Sequence, residues 1–467
     1  MPTRVLVPSG VLGLGFDREA LWRSAALPEE LRPHIICIDG GSTDSGPYYL
    51  GTGASKYSYA ACKSEWRELI GLRAKLDVPL VITSCGTCGT DGMVEWMLQM
   101  TTELIQEQQE PRQQMQIALL YCEPPTELLL QKFKQGSIAA LQPDIGLSAD
   151  TLNDASHCVA LAGAEQINQA LAGGAQIILA GRCTDTASIA ALPLSRGEHA
   201  GAAWHAAKIA ECGALCSDNP TSGVIMIEVD ETGFTVAPLA QGASCTPHSV
   251  SAHMLYENSD PFVLYEPGGD LHVETAEYQP AKMAGIDAAA VRVTGSEWHS
   301  DKNYTVKLEG ARLAGYQVTQ LVMLRDAHYV THARQWVERL EAFLHAEILH
   351  RMQVQQPIDY TLEFRLIGID SVLGNAENQQ AVPVEVGVLA ITTAHSDELA
   401  AEIAKLANPF LLHYPLTDSE ELPTFAFPYS PAESQRGSLY EFCLNHVMTL
   451  EQPMEAFRLE YVTTGGS

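Results

Sequence analysis

Three segments of the chain concentrate reactive side chains just after an apolar run ends. In the first, Asp39-Gly40-Gly41-Ser42-Thr43-Asp44-Ser45-Gly46-Pro47-Tyr48-Tyr49-Leu50-Gly51, two carboxylates, three hydroxyls and two phenols fall within thirteen residues. The Ser42 and Thr43 hydroxyls, with the glycine amides, suit a bound carboxylate or phosphate. Asp39 or Asp44 is placed to move a proton or hold a cation, and Tyr48 and Tyr49 are counted with the binding loop. The plainer alternative is a capped turn in which Asp and Ser satisfy backbone groups. The second segment, Gly181-Arg182-Cys183-Thr184-Asp185-Thr186, puts a cation, a carboxylate and two hydroxyls at a helix start. That set can anchor an anion through bidentate Arg182 contacts backed by Thr184. Asp185 then orients the arginine or moves a proton, unless the two merely cap the helix. The third, Trp204 to Gly213, places His205, Lys208 and Glu211 or Cys212 three or four residues apart on one helix face. Histidine transfers protons near neutral pH, although a solvated helix face accounts for the pattern equally well.

Other patterns carry less. Cys85-Gly86-Thr87-Cys88 follows a strand and precedes a helix, where the dipole favours a thiolate. It lacks both a thioredoxin-like setting and a four-cysteine zinc spacing. Ser84, Gly86 and Thr87 are therefore expected to approach a ligand through a glycine-rich, small-residue loop. His248, His253 and Tyr256, with Glu257 and Asp260 nearby, lack a tight ligand signature such as H-E-x-x-H, so no metal is assigned. The early SGVLGLG has neither G-x-G-x-x-G nor a Walker lysine, and no G-x-S-x-G elbow occurs.

The elements that must position these residues follow one grammar in the first half: a short β-branched run, a Gly-rich turn, then a helix-period stretch. That is the pattern of a parallel α/β sheet. Strands are expected at Arg4–Pro8, His34–Ile38, Leu80–Thr83, Met115–Tyr121 and Gln176–Ala180. Helices are expected near Arg18–Ala25, Tyr59–Leu76, Met93–Gln108 and Gln166–Ala172, with another opened by Pro124-Pro125. The polar motifs lie in the loops at strand carboxyl ends, which line the ligand crevice of an open parallel sheet. After about residue 220, shorter alternating runs at Val224–Val229, Phe234–Ala237, Phe262–Tyr265, Ala290–Thr294 and Tyr304–Leu308 read as an antiparallel sheet. A helix from Thr331 to Met352 should bury Trp336, Leu340, Phe343, Leu344 and Ile348. Tyr360–Ile367, Val384–Thr392 and a helix near Ser396–Ala407 follow, and 415–436 reads as surface loop. The expected fold is thus an N-terminal parallel or mixed sheet flanked by helices (1–220), followed by an α+β domain (221–467) closing over it.

At 467 residues, 46% hydrophobic and 18% charged, the chain has ample length for a core. Lys and Arg number 28 against 57 Asp and Glu, a net charge of −29. Such a chain is repelled by phosphate backbones and anionic lipids, which argues against nucleic acid and membrane partners. Any anionic substrate needs a local group of cations and donors. The start, MPTRVLVPSG, lacks signal-peptide character, no stretch of roughly 18 apolar residues occurs, and eleven scattered cysteines are not a disulfide framework. A cytoplasmic protein is expected.

The segments DGGSTDSGPYYLG (39–51), GRCTDT (181–186) and AWHAAKIAECGA (203–214) resemble the acyclic terpene utilisation (AtuA) family, whose bacterial members occur with acyl-CoA and carboxylate catabolism genes. The likeness spans most of 1–330, and SCGTCG departs from the Gly/Ala/Asn-rich loop expected there. It implies a catabolic role without a residue set to carry over. The combined expectation is a cytosolic enzyme of hydratase, lyase or isomerase type, acting on a small carboxylate or its acyl-CoA thioester and needing no bound cofactor. Asp44, Asp185 or His205 moves the proton, and Arg182 with the Ser42/Thr43 loop holds the anion. A homo-oligomer is the default for a large metabolic protein. The alternative is a noncatalytic metabolite-binding or partner subunit.

Overall fold

Five short apolar runs build the centre of the first sheet. In a computed structural model, which describes residues 2–107, 114–220, 223–378 and 381–464, β1 (Thr3–Val7), β2 (Ile35–Asp39), β3 (Leu80–Thr83), the strand Ile177–Ala180 and β4 (Met115–Tyr121) lie side by side in that order, all parallel. Successive side chains of a strand point to opposite faces, so each run feeds two cores. Val5, Val7, Cys37, Val81 and Ile178 join one. Leu6, Ile36, Ile38, Ile82 and Leu179 join the other. Burial on both faces is why these strands read as continuous hydrophobic runs and not as alternating ones.

Antiparallel strands extend the sheet at both edges. Arg458–Thr464 pairs with β4. On the other side Ile225–Val229 pairs with β1, followed by Gly233–Pro238, Ile286–Thr294 and Glu277–Met283. These pairings move the expected division near residue 220. The strands just beyond it complete the first sheet, and the compact units are Met1–Arg312 with Phe442–Ser467, and Leu313–Glu441. A small antiparallel sheet in the first unit consists of Val263–Glu266, Gly269–His272 and Glu297–Ser300.

In the second unit, Val386–Ala394 pairs with residues 316–324 and with Tyr360–Ile367. The helices Ala333–Met352 and Asp397–His413 pack there, and Trp336, Leu340, Leu344 and Ile348 are fully buried, as the helical period requires. Phe343 is partly buried, its ring against Phe410. The mixed α/β content and large, helix-flanked sheet match the expected fold class.

Several boundaries differ. The helix expected from Thr331 is interrupted at His332, with Ala327–Thr331 standing before it. The strand expected to end at Leu308 runs to Leu324, and the expected surface loop gives way at Glu433 to a strand reaching Leu450. The helix read as ending at Gln108 spans Asp91–Glu107, and Gln108 lies outside the described residues. Among the described residues no helix is long and apolar enough to cross a membrane.

The loop Ser84–Thr90 is stitched onto the end of the Ile177–Ala180 strand. The Ser84 and Cys85 amides donate to Gly181 O and Ala180 O at 2.8 and 3.1 Å, and the Arg182 amide donates to Gly89 O at 3.0 Å. Gly89 has φ +64°, and a Cβ there would lie 2.3 Å from the Arg182 nitrogen. Glycine is required on both counts. Gly89→Ala should therefore lower stability by roughly 1–3 kcal/mol or more, read as a lower urea midpoint. An unchanged midpoint would show that the loop yields.

Candidate functional site

The carboxyl ends of β2 and the Ile177–Ala180 strand open onto a cavity of about 730 Å³. Its lining joins Ser42 and Asp44 from the loop after β2 to Arg182, Thr184, Asp185 and Thr186, and to Lys208 and Glu211. Parts of all three motifs thus meet in one place, as the rule for parallel sheets requires.

Arg182 is the hub. It follows a fully buried strand and is itself 5% exposed. Its Nε donates to Glu309 Oε2 at 3.1 Å, and its Nη1 donates to Ser84 Oγ, Cys183 O and Asp185 Oδ1 at 3.1, 3.0 and 3.4 Å. Glu309 also accepts from Thr43 Oγ1 at 3.0 Å and pairs with Lys307 at 3.1 Å. Burial pushes the Glu309 carboxyl up, but the charges of Arg182 and Lys307 prevail and hold it at about 2. Burial lowers the Arg182 pKa, and the carboxylates of Glu309, Asp185 and Asp39 more than reverse that, so it stays charged.

Two other carboxyls behave in the opposite way. Burial pushes Glu211 up to about 8 against the pull of Lys208, whose Nζ lies 2.6 Å from Oε1. Burial likewise pushes Glu266 to about 7. Glu266 Oε1 accepts from the Thr186 hydroxyl, while its buried Oε2 has no hydrogen-bond partner. Buried carboxyls displaced toward neutrality beside fixed cations are the usual equipment of acid–base sites.

The remaining expected residues divide into supports and bystanders. Thr43 and Ser84 do not line the cavity but hold Glu309 and Arg182. Asp39 is buried, accepts from Gly40 N and Thr83 Oγ1 at 2.8 and 3.2 Å, and has its pKa raised by burial and by Asp185. Gly86 and Thr87 lie in the stitched loop with positive φ, and the Thr87 hydroxyl is buried without a partner. Tyr48 is half exposed and its ring meets Tyr49 edge-on; neither lines the cavity.

His205 is corrected most clearly. It is fully buried, with Nδ1 2.8 Å from Ser296 Oγ, Nε2 3.1 Å from the Tyr278 hydroxyl and the Phe234 ring at its edge, and it does not line the cavity. Burial pulls its pKa down to about 3. The helix Ala200–Ala210 is buried along nearly all its length, so no solvated face exists. His205 packs into the core, while Lys208 and Glu211 reach the cavity.

The cysteine pair also departs from the dipole argument. Cys85 and Cys88 are buried free thiols, and burial raises both pKa values, the reverse of thiolate activation. His248 and His253 join no cluster of metal-ligating side chains among the described residues. The charged cavity residues that motif reading missed are Glu266, Asp301, Lys307 and Glu309, all from strand-rich sequence after residue 220. Alternation in Val306-Lys307-Leu308-Glu309 groups Glu309 with Lys307 on the face opposite Leu308, so nothing local marks it as a site residue.

A sequence model described as "Acyclic terpene utilisation family protein AtuA" matches residues 67–421. No curated protein and no solved structure matches the chain.

The Glu309 carboxyl has a folded pKa of about 2 against an ordinary 4.5. A depressed pKa contributes stability that is present above the unfolded value and lost as pH falls through the folded one. The contribution is on the order of 3 kcal/mol. Glu309→Gln should therefore be less stable than the parent at pH 7, and urea unfolding should show that gap closing as pH drops from about 4.5 toward 2. A gap independent of pH would remove the Arg182–Glu309 ion pair as its cause.

Proposed function

The chain belongs to the acyclic terpene utilisation family AtuA, and from that premise we propose that it is an acid–base enzyme of carboxylate or acyl-CoA catabolism, of hydratase, lyase or isomerase type. The observation that carries this reading is the convergence of Arg182 with two buried carboxyls, Glu211 and Glu266, in one cavity. Arg182 uses Nε and Nη1 within the protein, which leaves Nη2 as its donor to a substrate oxygen. Thr184 and Ser42 add hydroxyls beside it.

Charge selects among substrates. The lining carries three cations, Arg182, Lys208 and Lys307, against seven carboxyls: Asp44, Asp185, Glu211, Glu257, Glu266, Asp301 and Glu309. That balance disfavours a tricarboxylate and suits a single carboxylate or an uncharged thioester carbonyl. Leu141, Leu161, Leu264 and Val447 supply apolar wall, which fits the branched hydrocarbon part of an acyclic terpenoid acid. A volume of about 730 Å³ lies within the usual range for small-molecule sites.

The division of labour follows from the partners each group already has. Arg182 is paired with the carboxylates of Glu309 and Asp185 and stays cationic, so its remaining Nη2 binds and polarises the substrate carbonyl. Glu266 has one oxygen fixed by Thr186 and one unpartnered, so it is the group placed to take a proton from carbon or give one to a departing oxygen. Lys208 and Glu211 share a short contact that can receive that proton and return it. Asp185 contacts Arg182 at 3.4 Å and positions it, while Asp44 lines the same cavity and helps position the substrate.

Two measurements test this. Thermal-shift screening against short monocarboxylates, hydroxy acids and their CoA esters should find a stabilising ligand. Arg182→Lys should weaken its binding by about ten- to hundredfold, the scale of a charge-assisted hydrogen bond. With a turned-over ligand in hand, Glu266→Gln should bind normally and lose at least about a hundredfold in kcat. Normal binding by a folded Arg182→Lys variant would remove the clamp, and undiminished kcat in Glu266→Gln would remove the acid–base assignment.

A further inference from the structure

The small sheet of the first unit carries a second group of reactive side chains that the cavity does not use. Its middle strand, Gly269–His272, sends Leu271 into the core, where it is fully buried, so Asp270 and His272 share the outer face. Across the strand pair, Asp270 is opposite His299 and His272 is opposite Glu297. Two imidazoles and two carboxylates thereby occupy a two-by-two patch with the acids on one diagonal. The His272 and His299 rings lie 4.2 Å apart between centroids.

One ligand atom from each of Asp270, His272 and His299 lies within 4.8 Å of the others. His272 Nε2 meets Asp270 Oδ2 directly, and His299 Nδ1 is 3.8 Å from the same oxygen. The opposite nitrogens are backed by acids: His272 Nδ1 is 3.3 Å from Glu274 Oε1 and His299 Nε2 is 3.5 Å from Glu297 Oε2. An imidazole that turns one nitrogen to a common point while the other faces a carboxylate is the arrangement by which metal-bound histidines are oriented and made more basic. Tetrahedral ligation needs ligand atoms about 3.3 Å apart. His299, with 55% of its side chain exposed, is free to turn by the small amount required.

We propose that Asp270, His272 and His299 form a binding site for a divalent transition metal ion, zinc being the best match to two imidazoles and one carboxylate. Imidazole disfavours magnesium and calcium, which take oxygen ligands. Water completes the tetrahedron at the exposed side. The ion bridges two strands, and the bridged strand begins at Gly269, which is paired with Glu266 across the hairpin and lines the cavity beside it. Its effect is to fasten the hairpin that presents Glu266. This proposal does not rest on the reaction assigned above.

The test uses the full chain, freed of metal with a chelator and dialysed. Calorimetric titration with zinc should give one equivalent bound and a raised Tm. His272→Ala and His299→Ala should each weaken binding by about tenfold or more, and Asp270→Asn should weaken it as well. Because these side chains lie on an outer face, the metal-free variants should melt as the metal-free parent does. Cobalt(II) should give the visible bands of a tetrahedral site without thiolate charge transfer. Absence of a bound equivalent overturns the proposal, as does affinity unchanged in both histidine variants. A thiolate charge-transfer band also overturns it by placing the ion on one of the eleven cysteines.

Discussion

A guanidinium taken out of water has to be surrounded by acceptors, and much of the site follows from burying Arg182. Removing one partner of such a buried pair costs about 3–5 kcal/mol, because the other charge is left uncompensated. The chain meets that demand with one neighbouring residue and parts from three distant segments. Ser84 comes from the loop after β3, Thr43 acts through Glu309 from the loop after β2, Asp185 lies three residues on in the turn before a helix, and Glu309 arrives from a strand more than a hundred residues later. Gly89 lets the backbone close against Arg182, and Cys85 supplies a small buried side chain in the same loop. The SCGTCG sequence is thereby explained by packing at the strand end, with its thiols held protonated.

The same burial divides the carboxyls of the cavity into two classes. Glu309, between Arg182 and Lys307, is held at about 2 and is a permanent anion. Glu211 and Glu266, whose cationic neighbours are fewer or farther, are pushed to about 8 and 7. An acidic protein with net charge −29 can place seven carboxyls around one cavity only if some are neutralised by cations and others keep a proton. That division separates groups that fix charge from groups that exchange it, which is what acid–base chemistry requires. A hairpin pinned on its outer face by an ion would extend this logic outward, since it is the hairpin whose first strand ends in Glu266.

Much of the first sheet was legible because parallel strands buried on both faces leave an unmistakable mark. RVLVP, HIICI, LVIT, MQIALLY and QIILA have few polar residues, and each is followed at once by Ser, Asp, Cys or Gly. Locating the crevice needed only the rule that ligands sit at carboxyl ends, and Asp44, Arg182, Lys208 and Glu211 are there. His205 was misplaced for a definite reason. A helical repeat of three or four residues groups side chains by angle, but it does not say which part of the face meets the core. On a helix buried nearly all round, the angular difference between His205 and Lys208 is enough to send one to Ser296 and Tyr278 and the other to the cavity.

By itself the sequence determined the local terms: which runs become strands and helices, that they alternate as a parallel α/β sheet, that polar loops follow them, and that Arg182 stands at the end of a rigid strand. Those properties depend on neighbours a few residues away, so periodicity and turn chemistry record them. Only the tertiary structure decided which strand enters between which. It placed Ile177–Ala180 between β3 and β4 and brought Ile225–Val229 to β1, moving the unit boundary from about 220 to 312. It also supplied Glu309 and Glu266 to the cavity from antiparallel strands. A carboxylate in such a strand looks like any solvent-facing residue until the pairing register turns it inward, and register is set by contacts between segments far apart in the chain.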